Sequence, residues 1–418
     1  NKMKAILKTY KLRLYPNKEQ ETLLNKTFGC TRFLYNMMLA ERKETYARLK
    51  DSKEDLKKYK YRTESEFKKE TEWLREVDSI ALQQSRVDLD MAYKNFFDSL
   101  SGKRKGKKMG FPKFKSKRDN RKTFRTINVN NNIEIMFENK RIKLPKLKWI
   151  KYSDNRTFNG LIRNATVEKT PTGKYFACLL VEEVKEIKIH QISSQSKCVG
   201  LDYDSKNLFT SNESQIAGYP RFYRAYEKKL AKESKRLSRK ELGSRNRNKQ
   251  RIKVARVHEK IVNSRKDFHN KLSTQLVQNY DVIGIETLNM QAMSQCLNLA
   301  KSTLDNSWGY FVNMLEYKCE WYGKHLVFAD KYYASSKMCN ACGYKNVELT
   351  LADREWDCPI CHTHHHRDVN AGINLVNFAK EKMKISTVGT TGIHASGDDV
   401  RLETSKQAIV DERRISSL

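Results

Sequence analysis

Two cysteine pairs near the carboxyl end constrain this chain more than any other feature. Cys339-Asn-Ala-Cys342 and Cys358-Pro-Ile-Cys361 are separated by fifteen residues, and Arg367-Asp368-Val369-Asn370 begins six residues after the last cysteine. C-x2-C-x15-C-x2-C is the spacing of a zinc site. Four thiolates complete the tetrahedron, so the Zn²⁺ they imply is structural rather than catalytic. Gly343, directly after the first pair, permits the tight knuckle turn. His362, His364, His365 and His366 adjoin the last cysteine and compete as ligands, but four cysteines suffice; the bland reading of His364 to His366 is an exposed polar turn. Asp368 reads as the last carboxylate of a metal-dependent nuclease, or simply as a helix cap.

The charge points the same way. Formal net charge is +33 over 418 residues, from 82 Lys+Arg against 49 Asp+Glu. A polyanionic partner is implied, and nucleic acid leads because phosphate neutralisation releases counterions. An acidic membrane surface would call for an anchor. No apolar run approaches the roughly 18 residues of a span, and Asn1 to Tyr10 lacks a signal-peptide h-region; a cytoplasmic location is expected. Residues 101–125 carry 12 positive and 1 negative side chains, residues 221–270 carry 18 and 5, and residues 381–418 carry 6 of each. The last stretch, rich in Gly, Ser and Thr, reads as a poorly ordered tail. The five cysteines outside the quartet (Cys30, Cys178, Cys198, Cys296 and Cys319) are scattered, which suits a reducing compartment.

Residues 4–15 alternate as a strand that Pro16 ends. Residues 17–50 show helical spacing, with Leu23, Leu24, Phe28, Phe33, Leu34, Met37 and Met38 on a broad face. A charged helical stretch follows over 51–75, then a helix from Ser79 to Leu100 with Ile80, Leu82, Val87, Leu89 and Phe96 expected in its core. The Gly- and Lys-rich stretch 102–110 breaks it. From 125 to 187 the pattern becomes strands (TINVNNNIEIMF, RIKLPKL, ATVEKTPTGKYFACLLVEE), with Pro171-Thr172-Gly173 as a hairpin turn. With the first strand they make one small β-domain into which the helices are inserted. Residues 188–197 read as a linker. A strand then ends at Asp202 and Asp204, basic helices cover about 219–242 and 246–280, and a second strand ends at Glu286. A helix over 305–323, a strand at 325–329, the cysteine module and the Asp368 helix complete an alternating α/β domain.

Asp202, Glu286 and Asp368 sit at comparable strand and helix ends. Phosphodiester cleavage commonly uses two divalent ions to activate water and stabilise the leaving oxygen, and Mg²⁺ or Mn²⁺ needs hard oxygen ligands. Such carboxylates would repel one another without metal. One alone is most often a solvated acid; three in this strand–helix order are a site. Residues 103–125 interleave Lys113, Lys115 and other cations with Phe111, Phe114 and Phe124, which suits phosphate contact with base stacking or a strand edge with aromatics inside. In the 221–270 helices, Arg236, Arg239, Arg247 and Arg251 exceed what Glu at i±4 would balance, as expected of a phosphate-facing surface or, for any one side chain, of a solvated one. Arg367 beside the acids is placed to steady a phosphate.

Gly-Leu-Asp202, Ile-Gly-Ile-Glu286 and Arg367-Asp368-Val-Asn-Ala resemble the three RuvC motifs of the TnpB family of insertion-sequence proteins. The likeness extends to KLRLYPNKEQETLLNKTFGCTRFLYN (11–36), AYKNFFDSL (92–100), KIVNSRKDFHNKLST (260–274), SWGYFVNMLEYKCEWYGK (307–324) and SSKMCNACGYKN (335–346), and so covers residues 3 to about 380. The resemblance implies an α+β multidomain fold. A wedge β-barrel (1–16 and 121–190) holds an inserted helical recognition domain (17–120). An RNase H-like RuvC domain follows (197–332 and 363–385), carrying a zinc-binding nucleic-acid-binding insert (333–362), and 386–418 form a disordered tail. It implies RNA-guided cleavage of double-stranded DNA beside a short flanking motif. Asp202, Glu286 and Asp368 would be catalytic ligands to Mg²⁺ or Mn²⁺, and one monomer would act on one guide RNA. Base pairing would choose the sequence, leaving the flanking motif to the protein. Gln83 and Asn130 occupy regions that resemble the motif-reading helix and loop, where an amide can pair with adenine; each reads equally as a surface amide. Arg32, Tyr35 and Asn36 on the first helix divide between core or cap and nucleic-acid contact.

Three positions depart from the family's pattern. Asp204 stands where Gly is usual, and its solvated reading is favoured over a spare ligand. Gly372 replaces the usual Ala, and Tyr333-Ala334 stands where Phe-Pro is common. Two other functions compete with guided cleavage: a guided repressor that does not cut, and an unguided zinc-dependent DNA-binding protein. Retention of all three carboxylates favours the first function over the repressor, and the size of the basic surface favours an RNA partner.

Overall fold

The structure is a computed structural model and describes residues 2–104, 108–119, 122–290, 293, 304–350 and 352–388. It divides into two compact units, residues 5–185 and residues 1–4 with 186 onward.

In the first unit, β1 (Lys2–Tyr15) ends at Pro16, and Asn17 caps α1 (Lys18–Leu49). The Asn17 Oδ1 accepts from the Gln20 main chain (2.8 Å), and Gln20 Oε1 accepts from the Asn17 main chain (3.1 Å), a reciprocal capping box. Leu24, Phe28, Leu34 and Met38 are buried on this helix, whereas Met37 is exposed at the edge of the expected face. The charged stretch after it is not one helix. It breaks into α2 (Lys53–Lys58), α3 (Glu64–Glu70) and a 3₁₀ turn over 72–76, capped separately by Ser52 and Thr63. Its charge pattern hides those caps, which satisfy backbone donors wherever a helix restarts. Helix α4 (Ser79–Leu100) buries Leu82 and Leu89 but leaves Val87 exposed.

Strands β2 (Lys122–Ile127), β3 (Glu134–Met136), β4 (Arg141–Leu144), β5 (Lys148–Ser153), β6 (Leu161–Lys169) and β7 (Tyr175–Ile187) join β1 in one seven-stranded sheet of order β2-β6-β7-β1-β5-β4-β3. Gly173 supplies the positive φ of the β6–β7 turn (85°), as the Pro-Thr-Gly run predicts. Strand β5 was missed in the sequence, because adjacent Trp149 and Ile150 break the strict alternation of its KWIKYS run. The expected barrel is not observed: among the described residues no sheet closes. β3 is only three residues long, and β2 is packed against α1 and α4 rather than against β3. Phe124 belongs to the core of this sheet, which decides for it between stacking and packing.

The second unit carries a four-stranded sheet, β8 (Cys198–Asp204), β9 (Leu208–Ser211), β10 (Val282–Glu286) and β11 (His325–Ala329), in the order β11-β10-β8-β9. β10 runs parallel to both β8 and β11, and β9 returns antiparallel to β8. The basic helices are α5 (Phe222–Ser238) and α6 (Arg245–Asn279), which pack on one another, followed by α7 (Trp308–Tyr322). Arg265 of α6 and Asp305 form a buried ion pair at 3.1 Å, and Asp305 also accepts from the Tyr223 main chain and the Tyr219 hydroxyl. The expected linker at 188–197 is partly fastened: the His190 main chain donates to the Gly323 carbonyl at 2.8 Å. Strand β12 (Glu355–Asp357) lies between the two cysteine pairs, and its hairpin partner β13 (His364–His366) follows the last cysteine and leads directly into α8 (Arg367–Val388). Residues 386–388, expected in the tail, are thus helical; the rest of that tail and Cys296 lie outside the described residues. The cysteines described are all free, and no described helix is long and apolar enough to cross a membrane.

Helix α8 lies directly against the sheet. A Cβ on Gly200 would sit 2.0 Å from the Gly372 carbonyl oxygen, and one on Gly284 would sit 2.7 Å from that of Leu375. A Cβ on Gly372 would in turn meet the Asn212 main-chain nitrogen at 2.6 Å. These obstacles are backbone and cannot rotate away. The expected outcome of Gly372→Ala, which restores the family's usual residue, is therefore a loss of about 1–3 kcal/mol, the scale of overpacking in a fitted core. Urea unfolding measures it, and an unchanged midpoint would contradict the close approach.

Candidate active site and zinc module

Side chains on a strand alternate with period two. Gly200 and Asp202 therefore share one face of β8, and Gly284 and Glu286 share one face of β10. The glycines face α8, so the acids two positions on emerge on that same face. In the parallel pair, Leu201 is in register with Ile285, which brings Asp202 and Glu286 to the carboxyl ends of neighbouring strands. On α8, Asp368 lies one turn before Gly372, on the face turned to β8. The three carboxylates meet because the helix can touch the sheet at those glycines.

Their electrostatics record the meeting. Asp202 is 8% exposed. Burial first, then repulsion from Glu286 and Asp368, pushes its carboxyl well above the ordinary aspartate range, with Arg367 opposing. Burial also raises Glu286, opposed by a hydrogen bond that the Ser335 hydroxyl donates to its Oε1. Asp368 is held by two guanidiniums: Arg354 Nη1 donates to Oδ2 at 2.9 Å, and Arg367 Nε donates to Oδ1 at 3.1 Å. Among the described residues, the cysteines form the group whose ligand atoms converge on one point; the three carboxylates do not form such a group. Their hard oxygens, burial and mutual repulsion nevertheless fit a divalent cation of the Mg²⁺ type.

Asp204 lies outside this cluster's hydrogen bonding. Its carboxylate accepts from the Lys206 main chain (2.8 Å) and from Asn207 Nδ2 (2.7 Å), closing the β8–β9 turn. That is a turn role rather than that of a spare ligand.

The four cysteine sulfurs lie within 4.8 Å of one another, as one tetrahedral ion requires. Gly343 takes φ 76°, and its N–H donates to the Cys339 carbonyl at 2.9 Å, making the knuckle. His364 to His366 form a strand rather than a turn, and His365 is buried against Trp356. Asn340 Nδ2 lies 3.5 Å from His365 Nδ1, and His365 Nε2 lies 3.1 Å from Cys339 Sγ. Asn340 donating to Nδ1 leaves the ring proton on Nε2, aimed at the sulfur, so His365 supports a ligand instead of replacing one.

The structure also places the residues that the sequence nominated for nucleic acid. Gln83 and Asn130 are exposed, the latter at φ 52° in a turn, and Phe111, Phe114, Lys113 and Lys115 are exposed. Asn36 bonds the Lys115 main chain in both directions and Lys115 Nζ lies over the Tyr35 ring, so this part of α1 fastens the basic segment. Arg239 is exposed, as is Arg236, which pairs with Glu233 at 3.0 Å. Arg251 leans on Asn248. Arg247 donates to the carbonyls of Leu237 and Lys240 (2.8 and 3.0 Å) and closes the α5–α6 turn. Sequence reading passed over Ser335, Arg354, Asn370 and Asn374, for which it offered little beyond their nearness to the cysteine and aspartate motifs. The glycine two positions before each strand acid was a usable signal.

A mixed α/β fold with a three-carboxylate cluster beside a four-thiolate module defines the class of this protein. Three family models match the chain: a "Helix-turn-helix domain" over 3–51, "Probable transposase" over 178–297, and "Cas12f1-like, TNB domain" over 308–375. In the structure the first of these stretches is β1 followed by one long helix. A Streptomyces pristinaespiralis protein named "Putative RNA-guided DNA endonuclease" is 33% identical over 377 residues, 90% of each chain. The Escherichia coli (strain K12) "Putative RNA-guided DNA endonuclease InsQ" is 31% identical over 385 residues, 88% of this chain and 92% of that one. The chain belongs to the TnpB family. A solved structure described as "Cryo-EM structure of the Cas12f1-sgRNA-target DNA complex" shares the fold, with TM-score 0.55 at 13% identity, over 89% of this chain and 99% of that one.

Two outcomes follow from the site. The purified protein should carry one zinc, and Cys339→Ser or Cys358→Ser should lose it and unfold the module, because structural zinc supplies folding free energy directly; elemental analysis and limited proteolysis report both. In protein freed of Mg²⁺ and Mn²⁺ but retaining its zinc, Asp202→Asn should raise the melting temperature at pH 7. An aspartate whose folded pKa is raised costs nothing below its unfolded value near pH 4, and costs more as pH climbs toward the folded value. Each pH unit between the two is worth about 1.4 kcal/mol. The gain should therefore vanish at pH 4, and a gain equal at both pH values would show that charge is not its cause.

Proposed function

We propose that this protein is an RNA-guided endonuclease that cuts double-stranded DNA, encoded by a transposon and working with a guide RNA and a short flanking DNA motif. The observation that carries the reading is that Asp202, Glu286 and Asp368 lie near enough to repel one another, towards the ends of β8 and β10 and at the start of α8, in a chain of net charge +33. The names borne by full-length relatives agree with it.

In this reading the second unit is a RuvC-type nuclease domain (197–332 and 363–385) interrupted by a zinc-bearing insert (333–362). The first unit supplies most of the wedge (1–16 and 121–190) and the recognition part (17–120). Asp202, Glu286 and Asp368 would hold Mg²⁺ or Mn²⁺, and a divalent ion there would supply activation of water and stabilisation of the leaving oxygen. The protein's own part is to bury these ligands, fix their directions and hold cations beside them. Arg354 and Arg367, which neutralise Asp368 in the structure, are placed to take a phosphate oxygen once a metal engages that carboxylate. The exposed cations Lys113, Lys115, Arg236 and Arg239 hold phosphate backbones, and Gln83 and Asn130 read the flanking motif. One monomer acts on one guide RNA, in the cytoplasm of its host.

The test is cleavage of a plasmid matched to the RNA that copurifies with the protein, with and without Mg²⁺. Asp202→Ala, Glu286→Gln and Asp368→Ala should each reduce cutting by about 10²–10³-fold or more, the scale for removing electrostatic stabilisation of a transition state. Guide and target binding should be retained, because the phosphate-binding surface lies elsewhere. Asp204→Gly should keep activity. Tight matched-target binding without nicking by any divalent ion would instead identify a guided repressor, and absence of an enriched RNA an unguided binder.

A further inference from the structure

Glu286 ends its strand with a flexible side chain, yet it is not left to find its own direction. Ser335, 2% exposed, donates its hydroxyl to Glu286 Oε1. Ionised Glu286 can only accept, so this bond selects one oxygen and leaves the other for a different partner. Ser335 stands four residues before Cys339, at the root of the zinc module. Its carbonyl accepts from Asn374 Nδ2 at 2.8 Å. Three residues on, the Met338 carbonyl accepts from Asn374 Nδ2 (2.6 Å) and from Asn370 Nδ2 (2.7 Å). Asn370 Oδ1 then accepts from the Asn340 main chain and side chain at 3.1 and 2.8 Å. Asn370 and Asn374 are almost fully buried, one turn apart on α8, the helix that carries Asp368.

We propose that Ser335 is a positioning residue for the metal-binding carboxylate of Glu286, and that Asn370 and Asn374 hold it in place by clamping the 335–340 segment to the Asp368 helix. The cysteine module is thereby tied to both the β10 acid and the α8 acid, and its folding sets the direction of Glu286. A hydroxyl that merely filled space would not need to be held at its own carbonyl and again at the carbonyl three residues on. Fixing one carboxylate oxygen in advance removes ordering that the metal would otherwise impose, and second-layer partners of this kind commonly alter metal affinity by about 10- to 100-fold.

The proposal rests on Glu286 being a metal ligand, and the experiment separates the two. Mn²⁺ binding is followed by electron paramagnetic resonance in the purified complex with its RNA, with the Asp202→Ala complex as the baseline for Mn²⁺ held by RNA. Ser335→Ala should weaken the site-specific Mn²⁺ by about 10- to 100-fold, with zinc content and target-DNA affinity unchanged. Ser335→Thr, which keeps the donor, should restore binding to within a few fold. Should Ser335→Ala misfold, Ser335→Cys, nearly isosteric and a weak donor, takes its place and should show the same weakening. Wild-type Mn²⁺ affinity in the Ala or Cys variant, or equal weakening in Thr, overturns the positioning role. A wild-type complex whose Mn²⁺ binding equals the Asp202→Ala baseline overturns the reading of this carboxylate cluster as a metal site, and Glu286 as its ligand with it.

Discussion

The second unit depends on one close contact, the seating of α8 on β8 and β10. Gly200 and Gly284 remove the two side chains that would hold the helix off, and Gly372 removes one from the helix itself. Because strands alternate, the same spacing that turns a glycine toward the helix turns the acid two positions later toward it as well. The packing contact and the carboxylate cluster are therefore one geometric fact. A larger residue at 200 or 284 would open the interface at the point where the carboxylates must meet.

The unit handles buried charge in two ways. Arg265 and Asp305 neutralise one another beneath α7, and Tyr219 and the Tyr223 main chain add hydrogen bonds. Next to Asp305, Asn306 Nδ2 donates to the Tyr203 hydroxyl at 2.9 Å, so the pair also braces the strand that carries Asp202. Such a pair is costly to break because removing one member strands the other. The carboxylate cluster is balanced only in part, by the two arginines paired with Asp368. Asp202 lies between two other acids, with an arginine as partial compensation. Residual repulsion of this kind is expected of a site that a cation completes.

Much was legible in the chain. The first strand ending at Pro16, the Ser79–Leu100 helix, the Pro-Thr-Gly turn and the strands ending at Asp204 and Glu286 all follow local rules, and the structure agrees within a residue or two at most of them. Other features were not legible, for physical reasons. Val87 and Met37 are apolar at helical spacing but fall at the edge of a face whose width only the neighbouring element sets. The charged 51–75 stretch hides two restarts. β9, four residues long, is too short to give a periodic signal. The barrel fails because closure depends on two distant edges meeting, which no local pattern encodes. His365 is buried because β13 pairs with β12, a partner the residues around it do not reveal.

By itself the sequence determined the ligand chemistry: four sulfurs at zinc spacing, three acids at element ends, and an excess of cations that demands a polyanion. These follow from residue type and short spacing, which survive any fold that keeps the elements intact. Only the tertiary structure decided which acid touches what. It gave Asp204 to a turn, Arg247 to a helix end, Arg354 to Asp368 and Ser335 to Glu286. Arg354 reaches Asp368 across 14 positions and Ser335 reaches Glu286 across 49. Their geometry is set by how α8, the sheet and the zinc module settle against one another, which depends on long-range packing rather than on any stretch of chain.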